Sequence, residues 1–296
     1  MVGLGFSNDL RSLIRCVEKF GPFELILSCH DFLMPNDIEV LKKLTGAPLA
    51  LWYPDPVWSF HRHMFLNAPF DFLFFKDPYL VDILSRNLGK RVFYLPECFS
   101  PTSLRDVVLT DEDRRRFGTD ICAAGNLYAY RISFFQNLAD HEIKIWGLPA
   151  PRWARLGPVK HMAKNYFIAH TEKVKAFRSA KIVLNNLNPS EIWGTNVRTF
   201  EICGARGFQI VDWRPGLEQL FDTDREVVTF RSLEELRHLI AHYLTSDIER
   251  EVIAKAGWER AHRDHTYERR LRLLLATVNG QERGFPLPSI GWDRRY

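Results

Sequence analysis

Short apolar runs alternate with segments of helical period along most of the chain. Residues 23–29, 48–53, 70–75 and 91–95 each carry the continuous hydrophobicity of a buried strand. Asn36 or Asp37 is placed to cap a helix with Ile38, Leu41 and Leu44 on its apolar side, and another helix is predicted over 79–87. A second set of strands follows at 119–124, 143–147, 181–187 and 208–212. Asn196 is placed to cap a helix over 197–205, and capping boxes stand at Ser232–Glu235 and Ser246–Glu249. Thr266 opens a last basic amphipathic helix with Tyr267, Leu271, Leu274 and Leu275 on one side. Strand–helix alternation in two sets predicts an α/β fold, two Rossmann-like domains with mostly parallel sheets covered by helices.

The alternation lapses between Pro96 and Thr110, where Pro96, Ser100, Pro101 and Ser103 gather. The expected organisation is therefore an N-terminal domain over 1–108, a C-terminal domain over 109–275 and a tail over 276–296. The tail segment 284–288 is irregular but apolar, and is expected to pack back on the body. Only residues 1–6 precede the first helix, where a full nucleotide-binding half opens with a strand and a glycine loop. The N-terminal half is expected to be abbreviated.

Composition narrows the class. The 296 residues are 46% hydrophobic and 26% charged, the balance of an ordinary globular protein. A net charge of +4 and a pI near 8.8 suit anionic small molecules or a membrane surface but are too weak for nucleic acid. The one dense basic run, Arg114-Arg115-Arg116, adjoins Asp111, Glu112 and Asp113 and reads as a solvated helix face. The five cysteines form no CxxC pair, which argues against a disulfide framework or a zinc site and for the reduced thiols of a cytoplasmic protein. No leader pattern opens the chain, and no run approaches the roughly 18 apolar residues of a membrane span.

In open α/β sheets ligands bind beyond the carboxyl ends of the strands. That rule selects His30 and Asp31, Asp55 and Pro56, Lys76 and Asp77, and Glu97 in the first set. In the second it selects Gly125, Asn126, Asn185, Asn186 and Asp212. His30 is the histidine best placed for catalysis. His61 and His63 flank Arg62 with no carboxylate at ligand spacing, and His265 reads as a local structural residue at a helix start.

The segment 181–212 is the most informative. A helix beginning at Asn196 presents free N–H groups and a partial positive charge to an anion, and Arg198 adds a cation in its first turn. Glu201, a turn further on, can accept hydrogen bonds from two ribose hydroxyls. The same residues also fit an ordinary buried helix with a surface Arg–Glu pair. Gly125 directly after a strand lets a ligand approach the backbone, with Arg131 in the next helix turn; a tight strand-to-helix turn is the plain alternative.

Taken in order, Lys181-Ile182-Val183-Leu184-Asn185, Asn196-Val197-Arg198-Thr199-Phe200-Glu201, Phe208-Gln209-Ile210-Val211-Asp212, Pro215-Gly216-Leu217 and His265-Thr266-Tyr267-Glu268-Arg269-Arg270 resemble the C-terminal domain of the CgeB-like (spore maturation protein) glycosyltransferases. Gly125-Asn126-Leu127-Tyr128 with Arg131 is similar to that family too, and Trp52-Tyr53-Pro54-Asp55-Pro56 resembles its aspartate–proline turn. The resemblance implies a GT-B architecture of two facing domains, transfer of a sugar from a nucleotide-sugar to an acceptor the sequence does not identify, no cofactor and no obligatory metal. It implies that Arg198 holds diphosphate, Glu201 the ribose and Gly125 and Asn126 the phosphate-side loop, with Arg131, Asn196 and Thr199 completing the donor set. Retaining enzymes of the wider class carry a second Glu eight positions before the ribose Glu; here Trp193 stands there, with Glu191 two residues earlier. An inverting enzyme needs a base, for which Asp55 and His30 are the candidates. Two other readings fit the same pattern: a non-catalytic nucleotide-sugar-binding protein, and a sugar-nucleotide epimerase or hydrolase.

Overall fold

All paired strands run parallel, in two sheets. The computed structural model describes residues 10–30, 32–57, 63–104 and 107–288. Residues 1–6, Asp31, His61, Arg62 and the side chain of His63 lie outside the described residues.

The first unit comprises 1–96, 190–194 and 271–296. Its sheet has the order β1 (Ile26–Ser28), β2 (Leu49–Tyr53), β3 (Phe72–Phe75), β4 (Val92–Tyr94). Every residue of β2 and β3 is buried, as expected of parallel strands covered on both faces. Helix Pro35–Thr45 links β1 to β2, and helix Leu10–Phe20 packs Leu10, Leu13 and Val17 against its Ile38 and Leu41. The helix start differs from the expected Asn36 or Asp37 cap. Met34 holds the cap position, Pro35 follows at the first turn, and the buried Asp37 reaches back to accept from the Met34 N–H at 2.7 Å. Leu44 faces away from the core. Asp77 caps helix Pro78–Leu88 by accepting from Tyr79 N at 2.9 Å.

The short visit of 190–194 to this unit is tightly held. Lys76 donates to Glu191 at 2.7 Å with both side chains almost fully buried. The Asp77 carboxylate accepts from Ile192 N at 2.7 Å and from Trp193 N, whose ring meets Tyr79 edge-on. The tail also belongs here: Phe285 N donates to Tyr94 O, and the Phe285 ring stands perpendicular to Tyr94.

The second unit comprises 97–189 and 195–270. Its strands are β5 (Thr119–Ala124), β6 (Ile143–Trp146), β7 (Ala180–Asn185), β8 (Gln209–Asp212) and β9 (Val228–Phe230), in the order β6-β5-β7-β8-β9. Among the described residues the first sheet thus has one strand fewer than the second. β9 was not among the expected strands: three residues directly after a turn leave no room for a periodic signal. Ser232 caps helix Leu233–Thr245 as expected, accepting from Glu235 N. Ser246 does not cap helix Asp247–Asp264; its hydroxyl donates back to His242 O, and Glu249 pairs with His242 instead.

The last helix, Tyr267–Val278, departs from its expected faces. Leu274 is buried, but Tyr267, Leu271 and Leu275 are largely exposed. Arg270, on what the sequence predicts as a basic amphipathic helix, is buried. It donates to His265 Nδ1 at 2.8 Å and to Asp264 O, and lies over Phe200. His265 donates through Nε2 to Leu220 O, so its role is structural. No described helix is long and apolar enough to cross a membrane.

Candidate functional site

In the second unit, sheet order reverses at β5, whose two neighbours, β6 and β7, follow it in sequence. Such a switch point opens a crevice beyond the strand ends. Gly125 follows β5, Asn185 ends β7 and Asn186 follows it. The chain at Gly125 takes φ +109°, a conformation L-residues rarely adopt, and its N–H donates to Trp146 O at 2.8 Å. Gly147 is needed beside it, because a Cβ there would lie 2.5 Å from Gly125 O.

Two guanidinium groups converge on Gly125. A Cβ on that glycine would lie 2.6 Å from a terminal nitrogen of Arg198 and 2.9 Å from one of Arg131. Arg131, in helix Ala129–Gln136, is only 1% exposed. Its Nε donates to Asn186 Oδ1 at 3.0 Å and a terminal N–H to Asn126 O at 3.2 Å, so it bridges the loops after β5 and β7. Both acceptors are neutral, and among the described residues no carboxylate lies within ion-pair range of Arg131. Burial first, and Arg198 second, push its pKa down to about 9, which leaves it protonated at neutral pH. Two cations held this close favour an anion between them.

A polar ladder fixes the second guanidinium. Asn196 caps helix Val197–Gly204, its Oδ1 accepting from Thr199 N. Asn185 Nδ2 donates toward Asn196 Oδ1, Thr199 Oγ1 and Gln209 Oε1 at 3.0–3.2 Å, and Gln209 donates to Thr199 O. Arg198 Nε reaches Asn185 Oδ1 at 3.5 Å. Thr199 is fully buried, bonded to the Thr195 hydroxyl, so it supports the helix start. Asn126 turns its Oδ1 to accept from Leu148 N, fixing the loop after β6. Asp212, the last residue of β8, accepts from Leu187 N at 2.5 Å; burial raises its pKa.

Gly125, Asn126, Arg131, Asn196, Arg198 and Thr199 thus form one connected cluster. Glu201 points elsewhere. It pairs with Lys173 at 2.8 Å and borders a cavity of about 120 Å³ that Phe99, His170 and Val174 also line. His30 and Asp55 belong to the first unit, after β1 and β2; both are exposed, and His30 Nδ1 accepts from Phe32 N. Position 193 carries a tryptophan whose backbone N–H donates to Asp77 and whose indole meets Tyr79 edge-on, and Glu191 pairs with Lys76. Burial pushes the thiols of Cys98 and Cys122 up to about 12, which makes them poor nucleophiles. Among the described residues, no three His, Cys, Asp or Glu side chains gather as a metal-binding set.

Sequence reasoning did not single out Gln209, Lys173 or His170. Gln209 had a signal, a lone amide inside the apolar run 208–211. Lys173 and His170 had none, because their meeting with Glu201 is set by how two helices pack.

The family described as "Glycosyl transferase-like" matches residues 131–276, just under half of the chain. No curated protein matches the sequence. Sucrose-phosphate synthase (tll1590) from Thermosynechococcus elongatus is similar in structure, with a TM-score of 0.66 and 13% identity over 92% of this chain and 76% of that one. Anabaena Alr3699/HepE, solved in complex with UDP-glucose, superposes with a TM-score of 0.65 at 10% identity, covering 92% and 82%. A glycosyltransferase from Rickettsia africae ESF-5 gives 0.64 at 9% identity, covering 93% and 80%. The chain therefore has the fold of the GT-B glycosyltransferases, with two Rossmann-like parallel sheets.

Proposed function

We propose that this chain, which carries a glycosyl transferase-like domain on a GT-B frame, moves a sugar from a nucleotide-sugar donor to an acceptor. The observation that carries the reading is the convergence of Arg131 and Arg198 on Gly125 at the switch point of the second sheet. A diphosphate there meets two preorganised cations and the capped helix start. Charge developing on the leaving diphosphate is neutralised by groups that are in place before reaction, so no metal is required. The CgeB-like resemblance, the kinship of the 131–276 domain and the UDP-glucose complex of HepE support the same reading. A cytoplasmic enzyme working on a soluble donor fits the composition.

The acceptor proton goes to a side chain in an inverting reaction, for which Asp55 and His30 are the candidates. In a retaining reaction it goes to the leaving phosphate oxygen. The test is incubation with a nucleotide-sugar panel, with and without EDTA, and detection of released nucleoside diphosphate. Arg198→Ala should lower release on the order of 10²-fold, the usual effect of removing one preorganised donor. Binding without release favours a non-catalytic binder, release with an epimerised or free sugar favours an epimerase or hydrolase, and absence of binding by any donor overturns the site.

A further inference from the structure

The loop that follows β6 carries charge of one sign. Between Glu142 and Glu172 the sequence has no acidic residue, while Lys144, Arg152, Arg155, Lys160 and Lys164 are basic. β6 is an edge strand, and the loop begins and ends on it. The chain leaves β6 after Trp146; Ala163 returns to bridge Ile145, and Lys164 N donates to Ile145 O at 2.9 Å. Ala150, Ala154 and Leu156 pack inward on the core. The excursion therefore covers the free edge of β6 as one folded unit. Arg152, Arg155, Lys160 and Lys164 are exposed on it, and none of the four meets a carboxylate among the described residues. The pKa of Lys144 is lowered by burial first and by Lys164 second, so like charges are held close along this edge.

Large apolar side chains stand among these cations. Leu148, Trp153 and Phe167 are 54%, 66% and 53% exposed. A solvated charge run has no need of them, whereas apolar groups gathered in a basic setting mark an interaction surface. We propose that the loop 147–167 is a docking surface for an anionic phospholipid bilayer, with the four cations against the headgroups and Trp153, Phe167 and Leu148 in the headgroup–acyl boundary. Interfacial membrane binders divide their labour in this way. Nucleic acid fits the loop less well. Over 148–168 Asn165 is the one side-chain amide and there is no serine or threonine, so little is offered to base edges or sugar hydroxyls. Gly147 abuts Gly125, and Leu148 N is bonded to Asn126, so docking brings the cluster at Gly125 close to the lipid surface. The inference does not depend on the donor reading.

The experiment is flotation of the full chain with phosphatidylcholine vesicles, with and without phosphatidylserine, at low and at high salt. Wild type should bind the anionic vesicles at least roughly tenfold more tightly than the neutral ones, and salt should weaken that binding. A cation near an anionic surface strengthens binding roughly fivefold, so Lys160→Gln with Lys164→Gln should weaken it about 25-fold. Arg152→Gln with Arg155→Gln makes the same comparison if that pair melts early. Trp153→Ala should weaken binding about tenfold, and Trp153→Phe should keep most of it. Arg225→Gln with Lys255→Gln removes the same charge from exposed positions elsewhere and should stay within about twofold of wild type. Thermal melting checks the fold of each variant. Wild type that floats with neither vesicle overturns the inference. So does binding that the Lys160 and Lys164 changes or Trp153→Ala leave intact, or that the Arg225 and Lys255 changes weaken equally. Wild type that binds polyuridylate and leaves the vesicles free assigns the surface to nucleic acid and overturns it as well.

Discussion

Replacing Gly125 with alanine tests the convergence of the two guanidiniums directly. The new methyl would lie 2.6 Å from Arg198 and 2.9 Å from Arg131, against ordinary contact from 3.4 Å, so the two groups must retreat by about 0.8 and 0.5 Å. Arg131 resists, because Asn186 and Asn126 hold it and it is buried. Misplacement on the order of 1 Å in a preorganised site costs on the order of 10²-fold. Nucleoside diphosphate affinity, measured by calorimetry, should fall by about that factor. The φ of +109° adds backbone strain of about 1–3 kcal/mol, seen as a lower melting temperature. Gly46→Ala is the matched control: φ is +65°, and nothing lies within 4 Å of the added carbon. It should lower stability without touching affinity. The reasoning is refuted if Gly125→Ala binds within about threefold of wild type, or if Gly46→Ala loses as much affinity.

Two further outcomes are expected. His265, pushed by burial and Arg270 from the ordinary 6.5 to about 3, cannot take up a proton in the folded state that the unfolded chain accepts below pH 6.5. Its stabilisation is therefore complete above pH 6.5 and is lost as pH falls toward 3. Linkage gives a loss of about 2 kcal/mol between pH 7 and 5. Denaturant titrations should show that slope flattened in His265→Gln, whatever the variant's absolute stability. Lys76→Met strands Glu191 in a buried site and should cost about 3–5 kcal/mol, whereas Lys76→Met with Glu191→Leu should recover most of it. A double variant no more stable than the single one would contradict that account.

The sequence made most of this fold legible through one signal, the continuous hydrophobicity of parallel strands buried on both faces. Eight strands emerged near their observed positions, while β9 was lost for want of length. Caps were legible where the side chain bonds locally, as at Asn196 and Ser232. They failed where a neighbour offered a better partner, as for Ser246 with His242 O and Asp37 reaching back to Met34. At the candidate site, the loop glycine and both arginines could be placed, because their positions follow from strand ends and helix starts. The near-contact of Arg131 with Arg198 could not be read, since 66 intervening positions carry no distance information. Arg270 shows the same limit in reverse. Its neighbours Arg269 and Arg272 suggest a solvated basic face, and only packing against His265 and Phe200 removes it from water.

The three-segment construction of the first unit has a consequence for synthesis. The sheet of the second unit is encoded in one stretch, from Thr119 to Phe230, interrupted only at 190–194, and all of it emerges before the tail. The strands β1 to β4 are made first, yet Glu191, the partner of the buried Lys76, and Phe285, which covers Tyr94, arrive much later. A nascent chain stopped near residue 96 therefore lacks the Glu191 carboxylate that Lys76 meets and the Phe285 ring that stands against Tyr94. The first sheet waits on segments of its own unit that are made much later, and residues 1–96 expressed alone should be the fragment that needs a chaperone.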